Sequence, residues 1–264
     1  MIVTASPESL LATYLGRDVA RRVLSGETSR GQGRLVRAGI FYADLKGFTA
    51  LTDRLPAEQV IGHLNDYFDI VATSVLEHNG EVLKFIGDGL LAAFNIDGKS
   101  PASACCQALH AGLDAIDGLT RANRDRALPL EAGMALHYGD VVYGNIGSEA
   151  RLDFTVIGRA VNEATRIEAL CRTLSRPLLI SADFAKVCTC HPLVSLGHHR
   201  LRGVGEPQEI FTPTPEGAIA RAGRLFDSDQ CLGPGGRDIS FSDLRWNQKV
   251  LKKMAGDLNG GVGS

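Results

Sequence analysis

No run of about 18 apolar residues occurs anywhere in the 264-residue chain, so no segment reads as a membrane-spanning helix, and none reads as a secretory signal. A broad basic field is missing as well. The chain sets 28 Lys and Arg against 30 Asp and Glu, a net charge of −2, which argues against nucleic acid as a partner. Six cysteines, Cys105, Cys106, Cys171, Cys188, Cys190 and Cys231, lack the spacing of a disulfide framework, so a soluble chain in the reducing cytoplasm is expected. Cys188-Thr-Cys190-His191, with His198-His199 downstream, begins like a zinc site but lacks the second Cys-x-x-Cys pair. These therefore read as structural cysteines and surface histidines. There is no internal repeat. What is present is an apolar content of 44%, enough for one large core with small appendages.

Two stretches organise the rest. In Gly39–Leu55, an apolar strand ends at Asp44, and Gly47-Phe48-Thr49 opens a short helix. That order sets an oxygen ligand for a hard cation beside backbone N–H groups able to hold phosphate. In Glu81–Phe94, two β-rich runs meet at Ile86-Gly87-Asp88-Gly89, a tight hairpin from which Asp88 projects. Carboxylates on neighbouring strand ends can hold a pair of Mg²⁺ ions on a triphosphate. Taken singly, an aspartate at a strand end is more often a solvated cap; the two motifs together raise the functional reading.

Elsewhere the 3.6-residue period predicts a helix over Pro7–Leu24 stopped by Gly26, a long helix from Pro56 to about His78 stopped by Asn79-Gly80, and another through Leu109, Leu113 and Ile116. The first is either packed on its own domain or a connector or dimer contact. Leu128–His137 and Asp140–Ile146 read as two strands joined near Tyr138-Gly139. Strand, helix, strand, strand, helix, strand in that order is an α+β, ferredoxin-like βαββαβ core, its antiparallel sheet covered by helices on one face and open on the other. A strand over Leu152–Ile157, a helix over Gly158–Arg172 and strands at Pro177–Ile180, about Leu193–Leu201 and Gln208–Thr212 extend it. The expected organisation is an N-terminal helix and connector over 1–33, a catalytic domain over 34–213 and a poorly ordered tail over 214–264, with one possible amphipathic helix at Phe241–Leu258.

Three motifs, Asp44-x-x-Gly-Phe-Thr, Lys84-Phe-Ile-Gly-Asp88 and Gly158-x-x-Val-Asn162-x-Ala-x-Arg166, together resemble the class III nucleotidyl cyclases, the adenylate and guanylate cyclases, from about Val36 to Phe211. The resemblance implies cyclisation of a nucleoside triphosphate by in-line attack of the ribose 3′-oxygen, with pyrophosphate leaving. It assigns two Mg²⁺ or Mn²⁺ ions to Asp44 and Asp88, with the Leu45 carbonyl as a further ligand, and the β- and γ-phosphates to the amides of Gly47, Phe48 and Thr49. Asn162 would position the ribose and Arg166 donate to the transferring phosphate. Lys84 stands where adenylate cyclases carry a purine-reading lysine, and Thr155 where many members carry aspartate; threonine there resembles a bacterial subgroup often stimulated by bicarbonate. Lysine donates to adenine N1 and cannot accept from guanine N1–H, so ATP is the expected substrate. A lysine common near the end of the family's domain has no clear counterpart; Arg202 is the nearest candidate. In the family, metal ligands come from one subunit and the base-reading and phosphate-reading residues from its partner. One chain holding each set once implies a head-to-tail homodimer with two shared sites, under an upstream sensor domain or bicarbonate as activator. A guanylate or mixed-specificity cyclase, and a silent nucleotide- or bicarbonate-binding module, are the alternatives; the Gly-Gly-Asp/Glu-Glu-Phe signature of diguanylate cyclases is missing.

Overall fold

The longest ladder of the sheet pairs β1 (Gly33–Leu45) with β4 (Ala132–Gly147), antiparallel, from Gly33 opposite Gly144 to Leu45 opposite Ala132. In this computed structural model the described residues are 6–214, without 28, 30, 32 and 95–99. The expected tail and the helix at Phe241–Leu258 lie almost wholly outside them.

Between β1 and β4 come the short helix α3 (Phe48–Thr52), the long helix α4 (Ala57–Glu77), the hairpin β2 (Glu81–Ile86) and β3 (Gly89–Phe94), and helix α5 (Pro101–Ala122). Helix α4 ends where Asn79 enters the left-handed region at φ 58°, a conformation asparagine tolerates better than most side chains. Helix α5 begins at Ser100, whose hydroxyl accepts from the Ser103 amide, with Pro101 in the first turn. The sheet runs β2-β3-β1-β4 and continues through β6 (Leu178–Ser181), β8 (Gln208–Pro213) and β7 (Leu193–His199); β5 (Leu152–Ile157) pairs off the path with β4. The first four strands and their helices are the βαββαβ core the sequence predicts. Among the described strands only β4 and β6 run parallel.

Alternation along β1 assigns the two faces. Phe41, Ala43 and Leu45 are buried with Tyr67, Val71, Val75, Leu109 and Phe184, so this face carries α4, α5 and α8 (Ala182–Val187), a helix the sequence reading passed over. Ala38 and Ile40 point the other way and pack with Val19, Phe154, Ala160 and Ala164, which belong to α2 (Arg17–Leu24), β5 and α6 (Arg159–Glu168). That second face is partly covered rather than open. The expected N-terminal helix is two, α1 (Pro7–Leu15) and α2, broken at Gly16 with φ 87°. Helix α2 packs on its own domain, docking through Asp18, which accepts from Tyr143 Oη at 2.9 Å, whereas α1 buries nothing and exposes Leu10, Tyr14 and Leu15. The expected helix over Gly158–Arg172 likewise breaks after Glu168, and α7 (Leu170–Leu174) follows.

The turn expected near Tyr138-Gly139 does not exist, because β4 runs straight through both residues. Gly139 serves a different need. A Cβ there would stand 2.9 Å from the Ala160 Cβ, so the glycine lets the start of α6 lie directly on the sheet.

Candidate active site

Asp44 ends β1 on the face shared with α6, between two residues that have no side chain: Gly89 of β3 on one side and Gly133 of β4 on the other. Both gaps are filled from above. A Cβ on Gly89 would meet Tyr42 Oη at 2.7 Å and Asp44 Oδ1 at 3.2 Å; one on Gly133 would fall 2.0 Å from Glu168 Oε1. The carboxylates of Asp44 and Glu168 therefore lie over one row of the sheet, with the Tyr42 hydroxyl bonded to Asp44. Asp88 reaches the same end of the sheet from the β2–β3 turn. Gly87 has φ 63° while Asp88 has negative φ, as in a type II′ turn, and the Asp88 carbonyl accepts from the Leu45 amide at 3.3 Å.

Crowding of negative charge is the dominant property of this end of the sheet. Burial, then the neighbouring Asp88, pushes the Asp44 carboxyl up to about 6, against the Tyr42 hydrogen bond, which lowers it. Glu168 is pushed up to about 7 by burial and by Asp44 and Asp88, with Lys46 opposing. Tyr42 itself rises to about 12, and the fully buried Tyr67 is raised well above its ordinary value by burial and by the same carboxylates. The sequence reading found Asp44 and Asp88 and missed Glu168, Tyr42 and Gly133. The available signal was glycine inside a strand: Gly89 and Gly133 each mark a close approach.

Beyond Asp44, Leu45 is buried and Gly47 turns the chain in the left-handed region at φ 75°, so that α3 starts immediately and its first amides lack helical acceptors. Phe48 is half-buried against the core, and Thr49 is exposed.

Helix α6 serves two directions. Asn162 and Arg166 lie one turn apart, whereas Glu168, two residues past Arg166, is rotated about 200° and turns toward Asp44. Among the described residues neither the Asn162 amide nor the Arg166 guanidinium has a partner, so the pairing of Arg166 with Glu163 or Glu168 that a bland reading would give it is not made. Glu163 instead takes Arg159 at 2.6 Å and His137 Nε2 at 3.2 Å. Burial holds His137 below its ordinary value, and the neutral ring accepts at Nδ1 from Ser181 Oγ at 2.9 Å while donating to Glu163. This chain of bonds, invisible in the sequence, fixes α6 to β4 and β6. Arg166 lies over the turn after Leu201, 3.5 Å from the position of a Cβ on Gly203, so the structure brings Arg166 to the segment that carries exposed Arg202.

Lys84 and Thr155 sit on β2 and β5. The Lys84 ammonium is paired with Asp153, two residues before Thr155 and on the same side of β5. Thr155 is buried, and its hydroxyl has no hydrogen-bond partner among the described residues.

Residues 33–203 match the family model of the adenylate and guanylate cyclase catalytic domain. An adenylate cyclase of Anabaena cylindrica is 31% identical over 168 residues, 61% of this chain and 32% of its own length. Among solved structures, a bacterial light-regulated adenylyl cyclase aligns with TM-score 0.69 at 32% identity, covering 79% of this chain and 60% of that one. The guanylyl cyclase Cya2 aligns with TM-score 0.61 at 29% identity, covering 69% and 93%. The chain spans 32% to 38% of the length of the first curated relatives it matches. No helix among the described residues is long and apolar enough to cross a membrane.

Proposed function

The chain belongs to the adenylate and guanylate cyclase catalytic-domain family, and from that premise we propose that it converts ATP to 3′,5′-cyclic AMP and pyrophosphate at two sites shared across a head-to-tail homodimer. The observation that carries the reading is the carboxylate cluster of Asp44, Asp88 and Glu168, in which burial and the neighbouring carboxylates push Asp44 and Glu168 up. A donor set of hard oxygens with excess negative charge fits divalent cations. Asp44, Asp88 and the Leu45 carbonyl would hold two Mg²⁺ or Mn²⁺ ions, which supply neutralisation of the triphosphate and a lowered pKa at the attacking hydroxyl.

The remaining work falls to the chain's own groups. The amides of Gly47, Phe48 and Thr49 take the terminal phosphates, and Asp44 can accept the proton of the 3′-hydroxyl. Asn162 of the other subunit orients the ribose, and Arg166, unpaired among the described residues of its own chain, donates to the phosphate as its charge grows. Arg202, on the turn beneath Arg166, supports the terminal phosphates. At the base, Lys84 donates to adenine N1 while Asp153 holds its ammonium in place, and the partnerless Thr155 hydroxyl accepts from the exocyclic amine. Support for a shared site comes from Arg166, whose guanidinium has no partner among the described residues of its own chain.

The deciding experiment is product formation by the purified chain with Mn²⁺ or Mg²⁺ and either ATP or GTP, beside Asp88→Ala. Cyclic AMP from ATP that disappears in the variant is expected. Equal or greater cyclic GMP formation would move the reading to a guanylate or mixed cyclase, and a folded dimer that binds ATP without product would make it a regulatory module.

A further inference from the structure

The sequence reading set Cys188 and Cys190 aside for want of further ligands; the fold supplies one from 82 residues upstream. Cys106, in the early turns of α5, reaches the end of α8, where Cys188 closes the helix and Cys190 follows on the strap into β7. The three sulfur atoms lie within 4.8 Å of one another, and Cys188 and Cys190 are 3.6 Å apart. Cys106 and Cys188 are each only 5% exposed, and Cys190 is half-buried. All of this stands on the face covered by α4, α5 and α8, opposite to the face of Asp44.

Two ordinary explanations fit poorly. Cysteine packs well as a small apolar residue, and the chain shows what that looks like: Cys171 is buried alone, its thiol donating to the Met134 carbonyl at 3.4 Å. Three thiols from two separate segments converging on one point is a different arrangement. A disulfide requires sulfurs about 2.0 Å apart and joins two of them, leaving the third unexplained. A tetrahedral ion bound at about 2.3 Å to each sulfur holds its sulfurs about 3.8 Å apart, close to the separation found. Access is present too. A pocket of about 370 Å³ lined by Lys186, Cys188, His191, Glu209 and Phe211 opens beside the thiols.

We propose that Cys106, Cys188 and Cys190 form a three-thiolate site for one thiophilic cation, Zn²⁺ or its Co²⁺ surrogate, with the fourth position left to an exchangeable ligand from the pocket. The bound ion ties α5 to the strap between α8 and β7, and so braces the β6–β8–β7 side of the sheet without touching the carboxylates.

The test uses the full chain, reduced and stripped of metal. Titration with Co²⁺ gives, at one equivalent, an intense near-ultraviolet sulfur-to-cobalt charge-transfer band that Zn²⁺ then displaces. Cobalt held by Asp44 and Asp88 gives no such band, which keeps the two sites distinct. Cys106→Ser and Cys190→Ser each weaken the band, the double variant abolishes it, and Zn²⁺ raises the Tm of the parent by several degrees but not that of Cys190→Ser. Because Cys190 is half-buried, that variant remains informative if Cys106→Ser fails to fold. No sulfur band at stoichiometric Co²⁺, or a band that survives the double variant, overturns the proposal.

Discussion

Asp44 and Glu168 are acids held above their ordinary values of 3.8 and 4.5, and the sign of that shift decides how pH acts on the metal-free protein. The folded state binds more protons than the unfolded state between 3.8 and about 6 for Asp44, and between 4.5 and about 7 for Glu168. Their contribution is thus favourable in acid and is lost as pH rises through those folded values. Two outcomes are expected in differential scanning experiments at pH 7.5: Asp44→Asn raises the Tm of the metal-free protein, and Mn²⁺ raises the Tm of the parent but much less that of the variant. By the same competition, Mn²⁺ affinity measured calorimetrically should decline as pH falls from about 7 through about 6. A Tm for Asp44→Asn below the parent's in chelator would contradict the charge-crowding argument. At the base-reading end, Lys84→Glu should reduce kcat/KM for ATP far more than for GTP, since glutamate accepts where lysine donates. Arg166→Ala should lower kcat by about a hundredfold, on the order of 3 kcal/mol of lost transition-state stabilisation, with KM for ATP little changed.

At the scale of elements, α6 is the part whose placement matters most, because one helix presents Glu168 inward and Asn162 and Arg166 to another face. Its position rests on the buried chain from Ser181 through His137 to Glu163 and on the absence of a side chain at Gly139, where a Cβ would stand 2.9 Å from the Ala160 Cβ. Gly139→Val therefore forces the helix off the sheet; a loss of about 1–3 kcal/mol of stability in urea unfolding is expected, accompanied by a fall in kcat. A variant with unchanged activity and stability would show that the helix tolerates the displacement. Helix α1 stands at the other extreme. Leu10, Tyr14 and Leu15 are exposed and none of its residues is buried.

The scale of the whole molecule concerns the assembly. If the site is shared, an Asp44→Ala chain and an Arg166→Ala chain, each inactive, regain one intact site out of two when mixed under subunit exchange. The expected readout is cyclic AMP formation well above either parent but below the unmodified protein. A mixture as inactive as its parents would refute the shared site while leaving the family assignment in place.

Local sequence by itself determined the strand that carries Asp44, the hairpin around Gly87-Asp88, the start and stop of α4 and the placing of Asn162 and Arg166 on one helix face, because each depends on residues within a few positions of one another. Periodicity misled at Gly139, where a glycine that reads as a turn is a point of close helix approach, and at Gly16, where one stripe conceals a break. Only the tertiary structure decided what Asp44 has for neighbours: Glu168 over Gly133, Tyr42 over Gly89, and the charge repulsion among them that depends on burial as well as distance. The same holds for the thiols. Cys188 and Cys190 carry half of a ligand pattern in the sequence, and Cys106 joins them because α5 and α8 pack on one face of a single sheet, a proximity that no spacing along the chain encodes.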